Sequence, residues 1–154
     1  MDKIDLKIIK LLQENGRLTN QDLAEAVNLS PSPCLRRTRA LEASGVIKGY
    51  AAIVDEKAFG LPITVFVQIR LSEHTGPAVQ AFEAKIRDID RILDCYVVTG
   101  SDDYILRVLT RDLADYERFV RESLHCIPGI ASIDTSFAYG TVKRSMMLPQ
   151  PGLS

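Results

Sequence analysis

Ile4, Ile8, Leu11 and Leu12 recur at i, i+4, i+7 and i+8, the spacing that gathers apolar side chains onto one face of a helix. Asp2 stands where an N-cap belongs, and Gly16 closes the segment. Thr19 lies three residues before Asp22, a box-like capping pair for a second helix with Leu23 and Val27 along its apolar edge. At about two turns this helix is too short to persist alone in water, so it must pack on its neighbours. Asn28-Leu29-Ser30 form a tight connection to a third helix, capped by Ser30. Pro31 takes its first position, where a missing N–H costs nothing. The helix is expected to run to Ser44 and stop at Gly45. Cys34, Thr38 and Leu41 make its inward face. At about 100° per residue, Ser32, Arg36, Arg39 and Ala43 then point outward, with Pro33, Leu35 and Arg37 on the flanks.

From Ile63 the period changes to two. Ile63, Val65, Val67, Ile69 and Leu71 alternate with Thr64, Phe66, Gln68 and Arg70, the pattern of a half-buried strand. Gly76-Pro77 start a helix striped by Val79, Phe82, Ile86 and Ile89. Ile92 to Thr99 and Tyr104 to Thr110 read as strands around a turn, and Asp112 caps a helix with Leu113, Tyr116, Val120 and Leu124 facing inward. Ile130 to Val142 supplies the last strand. The order β-α-β-β-α-β is the ferredoxin-like arrangement, in which two helices cover one face of a sheet and leave the other open. Phe66, Ile105 and Phe137 lie opposite or near the core face, so a second subunit is expected to bury the open side. The predicted fold class is therefore α+β: a helix-turn-helix domain over 1–47, a short β linker over 48–61, and a ferredoxin-like domain over 62–154. The linker carries the β-prone Tyr50, Ile53 and Val54.

Composition narrows the partners. With 46% hydrophobic and 25% charged residues in 154, the chain is of globular type, not a disordered or collagen-like one. The formal charge is −1, so nothing in the whole-chain balance announces nucleic acid. Residues 1–49 nevertheless carry 8 basic and 6 acidic side chains, against 11 and 14 in the remainder. Three dispersed cysteines, Cys34, Cys95 and Cys126, fit a reducing cytoplasm better than secretion. No apolar run approaches the ~20 residues of a membrane span.

A short helix, a tight turn and a third helix with an outward arginine cluster describe a helix-turn-helix. In that motif the last helix enters the major groove of double-stranded DNA. Arginine suits the task because its planar fork can bond both acceptors of guanine at once. The plainer alternative is a solvated helix face. The run Leu29-Ser30-Pro31-Ser32-Pro33-Cys34-Leu35-Arg36-Arg37, with Leu41-Glu42, Gly45-Val46-Ile47 and Gly49-Tyr50, resembles the leucine-responsive/asparagine-responsive (Lrp/AsnC) family of transcription regulators. The resemblance implies that Ser32, Pro33, Arg36, Arg37 and Arg39 face DNA, with Ser30 as cap. Arg37 has a rival role in a structural ion pair, given its flank position.

The turn Thr99-Gly100-Ser101-Asp102-Asp103-Tyr104 resembles that family's Gly-x-x-Asp-Tyr signature, where a loop helps form an amino-acid site between dimers. Gly100, Ser101, Asp102, Asp103 and Tyr104, together with Thr135 and Ser136 on the last strand, would then face the effector. Glycine lets backbone N–H groups approach a carboxylate, and an aspartate can receive an ammonium group through a charge-assisted bond. Equally, Gly-Ser-Asp is ordinary composition for a tight turn, and threonine and serine are common strand residues. The resemblance further implies a cytoplasmic homodimer, assembling to an octamer, that responds to a small amino acid and needs no cofactor. An architectural protein that wraps DNA without an effector, or a regulatory module acting on an enzyme, remain as alternatives. No catalytic or metal-binding constellation stands out: His74 and His125 have no metal-ligand spacing, and neither GxGxxG nor a GxxxxGK[ST] phosphate loop occurs.

Overall fold

The computed structural model describes residues 1–149, and the chain divides into two compact units. Among the described residues, one unit comprises Met1–Ala52 with 142–149; the other is Ile53–Thr141. The C-terminal end of the expected 62–154 domain therefore clusters with the N-terminal unit, where Gln13 Nε2 donates to the Met146 carbonyl at 3.3 Å.

The first unit holds α1 (Lys3–Glu14), α2 (Asn20–Ala26) and α3 (Pro31–Ala43). Asp2 caps α1 as its position predicts: its Oδ1 accepts from the Ile4 and Asp5 N–H groups, both at 2.9 Å, and Asp5 returns a bond to the Asp2 N–H. Thr19 Oγ1 accepts from the Asp22 N–H at 3.2 Å and opens α2. Asn28 turns the chain at φ 56°, a conformation asparagine tolerates better than most side chains. Ile8, Leu23, Ala24, Val27, Cys34 and Leu41 close the core. Cys34 and Leu41 are buried as the periodicity predicts, and the half-buried Thr38 bonds back to the Cys34 carbonyl.

Two expectations need correction here. Ser30 occupies the cap position of α3, but its hydroxyl makes no capping bond. A cap bonds the N–H of the second or third helical residue, and the third is Pro33, which has none. The linker strand is also absent. Lys48–Asp55 is neither helix nor strand, and residues 56–60 curl into turns held by Asp55 Oδ1 on the Lys57 and Ala58 N–H groups. A β-prone sequence becomes a strand only beside a partner, and among the described residues none lies alongside it.

The second unit contains β1 (Ile63–Leu71), α4 (Gly76–Arg87), β2 (Ile92–Val97), β3 (Tyr104–Thr110), α5 (Leu113–Phe119) with a π-helical turn (Val120–Leu124), and β4 (Ile130–Phe137). The sheet order is β2-β3-β1-β4, with every neighbouring pair antiparallel, as the ferredoxin-like reading requires. β2 and β4 end sooner than their hydrophobic patterns suggest. The π turn widens the second helix by one residue, so Phe119 and Leu124 are buried while Leu113 is left exposed. Val65, Val67, Ile69, Leu106 and Val108 form the sheet's contribution to the core, against Phe82, Ile86 and Phe119.

Register assigns the faces. Val65 pairs with Val108 and Phe137, so Phe137 belongs to the helix-covered side, where its ring meets Tyr116 edge-on at 5.2 Å. Phe66 and Ile105 lie on the open face. Buried Asp115 fastens α5 to the sheet by accepting from Arg91, Arg111 and Thr110. The two guanidinium groups, Arg111 foremost and then Arg91, hold its carboxyl well below the usual carboxylate range.

Candidate nucleic-acid interface and ligand loop

The outer surface of α3 carries Ser32, Arg36 and Arg39, all exposed, with Pro33 half-buried beside them. Among the described residues neither Arg36 nor Arg39 has a carboxylate partner, so both guanidinium groups are available to an anion. Arg37 is different. Its Nη1 donates to Asp2 Oδ2 and to Asp5 Oδ1, each at 2.8 Å. The same carboxylates that cap α1 thus tie α3 to it, and the arginine's charge is met within the unit. Arg37 thus makes the ion pair that its flank position allows. The Asn20 amide also donates to the Pro31 carbonyl at 2.9 Å, fastening α2 to the start of α3.

The turn between β2 and β3 separates into two groups of residues. Asp103 is part of the fold: its Oδ2 accepts from the Leu71 N–H at 2.7 Å, and its Oδ1 meets His74 Nε2 at 2.8 Å. The Leu71 N–H first, and His74 after it, hold this carboxyl below its ordinary range. Tyr104 is buried, packs on Phe82 with ring centres 4.6 Å apart, and donates its hydroxyl to Glu83 at 3.2 Å. Burial, reinforced by the Glu83 carboxylate, pushes its pKa up to about 12. Gly100, at φ 124°, and Ser101 are exposed and Asp102 is half-buried, with the Ser101 hydroxyl donating to Asp102 at 3.1 Å. Asp103 and Tyr104, expected to face a ligand, also carry these bonds within the unit. Asp102, by contrast, has no cationic partner among the described residues.

Thr135 and Ser136 are not brought to this loop within one copy. They lie on β4, at the edge of the sheet away from β2, with β3 and β1 between. Their side chains also diverge. Thr135 bonds Tyr116 at 2.6 Å and lines a shallow groove of about 430 Å³ with Val120, Ile133 and Phe137. Ser136 pairs across from Phe66 on the open face. Glu83, His74 and the Tyr116–Thr135 pair, which position these groups, carry no sequence signal, since each contact joins residues 19 or more apart in the chain. No group of three or more His, Cys, Asp or Glu that could hold a metal ion occurs among the described residues. No described helix is long and apolar enough to cross a membrane.

A three-helix reading unit with free arginines on its last helix, joined to a ferredoxin-like unit with an accessible glycine turn, defines a DNA-binding regulator with a separate ligand-binding domain. Residues 1–48 match the winged helix-turn-helix DNA-binding family, and residues 64–148 match the Lrp/AsnC ligand binding domain. The chain belongs to the Lrp/AsnC family of transcription regulators. It is 44% identical to the Bkd operon transcriptional regulator of Pseudomonas aeruginosa, over 92% of this chain and 93% of that one. It is 36% identical to the transcriptional regulator AzlB of Bacillus subtilis, over 97% and 95%. A transcriptional regulator of Neisseria meningitidis, solved as a complex with L-Met, superposes with a TM-score of 0.92 at 37% identity, covering 97% of this chain and 96% of that one.

Proposed function

We propose that this regulator binds specific DNA sites in the cytoplasm as a homodimer, assembling further to an octamer, and that a small amino acid changes its assembly or its DNA affinity. Ser32, Pro33, Arg36 and Arg39 form the DNA-facing set on α3, with Ser30 beside them at the helix start. The observation that carries this is the pair of unmatched guanidinium groups of Arg36 and Arg39 on the solvent side of α3. The open sheet face, with Phe66 and Ile105, supports dimerisation, which would present two reading helices to half-sites about one helical turn apart.

For the effector, Gly100, Ser101 and Asp102 of one copy supply N–H donors and an acceptor. Thr135 and Ser136 contribute only from another copy, because β1 and β3 stand between them and the loop. The L-Met held by the Neisseria relative supports an amino acid as the ligand class. The ligand acts by binding one arrangement better than another. A coupling of about 1–3 kcal/mol changes DNA affinity roughly 5- to 150-fold.

Titrating each of the twenty amino acids into a gel-shift assay with genomic fragments tests this. At least one should shift the midpoint by fivefold or more. A flat response to all twenty would replace the sensing regulator with an architectural DNA-wrapping protein.

A further inference from the structure

Four residues converge where the chain leaves the reading unit. Gly49 takes φ 154°, a backbone conformation that residues with a Cβ rarely adopt, and thereby turns Tyr50 back toward the helices. The Tyr50 ring lies against Gly16, so closely that a Cβ there would stand 3.4 Å from Cδ1. Its hydroxyl donates to Glu42 Oε1, on the last turn of α3, at 3.0 Å. Beyond it, residues 51–54 are exposed and belong to neither helix nor strand. Tyr50 thus bonds the chain to α3 just before the connector, and the segment beginning at Val142 is a second tie to the same unit.

We infer that Tyr50 is a positioning residue: by bonding Glu42 it fixes where the connector starts relative to α3, and so sets the half-site spacing that a two-copy assembly accepts. This rests on the proposed binding of paired half-sites by a dimer. The length scale is sufficient. Releasing Tyr50 frees Lys48–Tyr50 as well, three residues that reach roughly 10 Å when extended. DNA rises about 3.4 Å per base pair, so each arm gains at most about three base pairs of freedom, within what the Val142 segment on the same unit permits. Two arms together gain at most about six, more than the half-turn that separates an in-phase site from an out-of-phase one.

The test uses the full chain and a half-site selected from random duplexes by the wild-type protein. Three duplexes are compared by gel shift: one half-site alone, two half-sites one helical turn apart, and two with five further base pairs between them. The wild type should prefer the in-phase duplex by tenfold or more. Tyr50→Phe keeps the ring and removes the donor; it should cut that preference below threefold while leaving single-half-site affinity within twofold. Glu42→Ala should behave like Tyr50→Phe. Glu42→Gln, whose amide oxygen still accepts, should keep the wild-type ratio, although both Glu42 variants lose the charge. The Glu42 pair carries the test alone if Tyr50→Phe fails to fold.

An unchanged phase ratio in Tyr50→Phe would overturn the inference. So would a parallel loss on the single half-site, a Glu42→Gln that behaves like Glu42→Ala, or a wild type indifferent to phase. A wild type that ignores every duplex is a separate failure, that of the DNA-binding assignment itself.

Discussion

Arg36→Ala separates the two uses of arginine on α3. Arg36 is exposed and has no carboxylate partner among the described residues, so its removal leaves the fold's own bonds intact. If the side chain reads a base edge, the loss is about 1–3 kcal/mol per helix. At roughly 1.4 kcal/mol per tenfold, this is about 5- to 150-fold on a single half-site. On a duplex with two half-sites the free-energy loss doubles, to about 2–6 kcal/mol. The preference at one base position should relax, and the salt dependence should hold steady. A phosphate contact behaves otherwise: log affinity against log salt becomes shallower by about 0.9 for each contact removed, or about 1.8 over two helices. Fluorescence anisotropy across a salt series, on a selected site and on its single-base variants, distinguishes the two. Arg37→Ala is the internal control. It releases the Asp2 and Asp5 carboxylates, so its effect should appear first in the melting temperature. The division of labour on α3 is refuted if Arg36→Ala leaves DNA binding unchanged, or if Arg37→Ala abolishes binding with no change in melting.

Three further outcomes follow from the second unit. Asp115→Asn should cost about 2–4 kcal/mol in urea unfolding, because a buried carboxylate with charged donors is lost while Arg91 and Arg111 retain some access to water. Because the folded pKa of Asp115 lies below its unfolded value of about 3.9, its stabilisation is complete well above that pH and declines as pH falls below it; the decline should be absent from the Asn variant. In the β2–β3 turn, Asp102→Ala should reduce the amino-acid response while changing stability by less than about 0.5 kcal/mol. Asp103→Ala should instead cost about 1–2 kcal/mol of stability, since it orphans the Leu71 N–H. Equal behaviour of the two variants, by calorimetry and effector titration, would mean that the turn does not divide as described.

Period and punctuation carried the architecture. The i, i+4 rhythm from Ile4, the alternation from Ile63 and the caps at Asp2 and Thr19 depend on nearby residues, and local physics decides them. What escaped depended on distant partners. Arg37 sits on a flank that suits DNA or an ion pair equally; the ion pair it makes rests on Asp2, 35 positions earlier. Asp103 and Tyr104 read as ligand groups in the sequence, and nothing there shows that Leu71, His74 and Glu83 fold against them. The β-prone run around Ile53 and Val54 illustrates the converse: propensity was legible, but a ladder needs a neighbour that the sequence does not name. The π turn left no periodic trace, because Tyr116, Val120 and Leu124 keep an unbroken i, i+4 rhythm across it.

The paired prolines of α3 have a consequence for how the helix meets its target. A helix ordinarily opens with a fringe of unbonded amide hydrogens that attracts any phosphate. Here Pro31 and Pro33 lack that hydrogen and the Cys34 N–H is spent on the Ser30 carbonyl, so within residues 31–34 Ser32 is left to offer one. The tip is poor in amide donors, and the positive side chains of α3 stand further along the barrel of the helix. Under the proposed assignment, grip and discrimination at this helix both fall to Arg36 and Arg39.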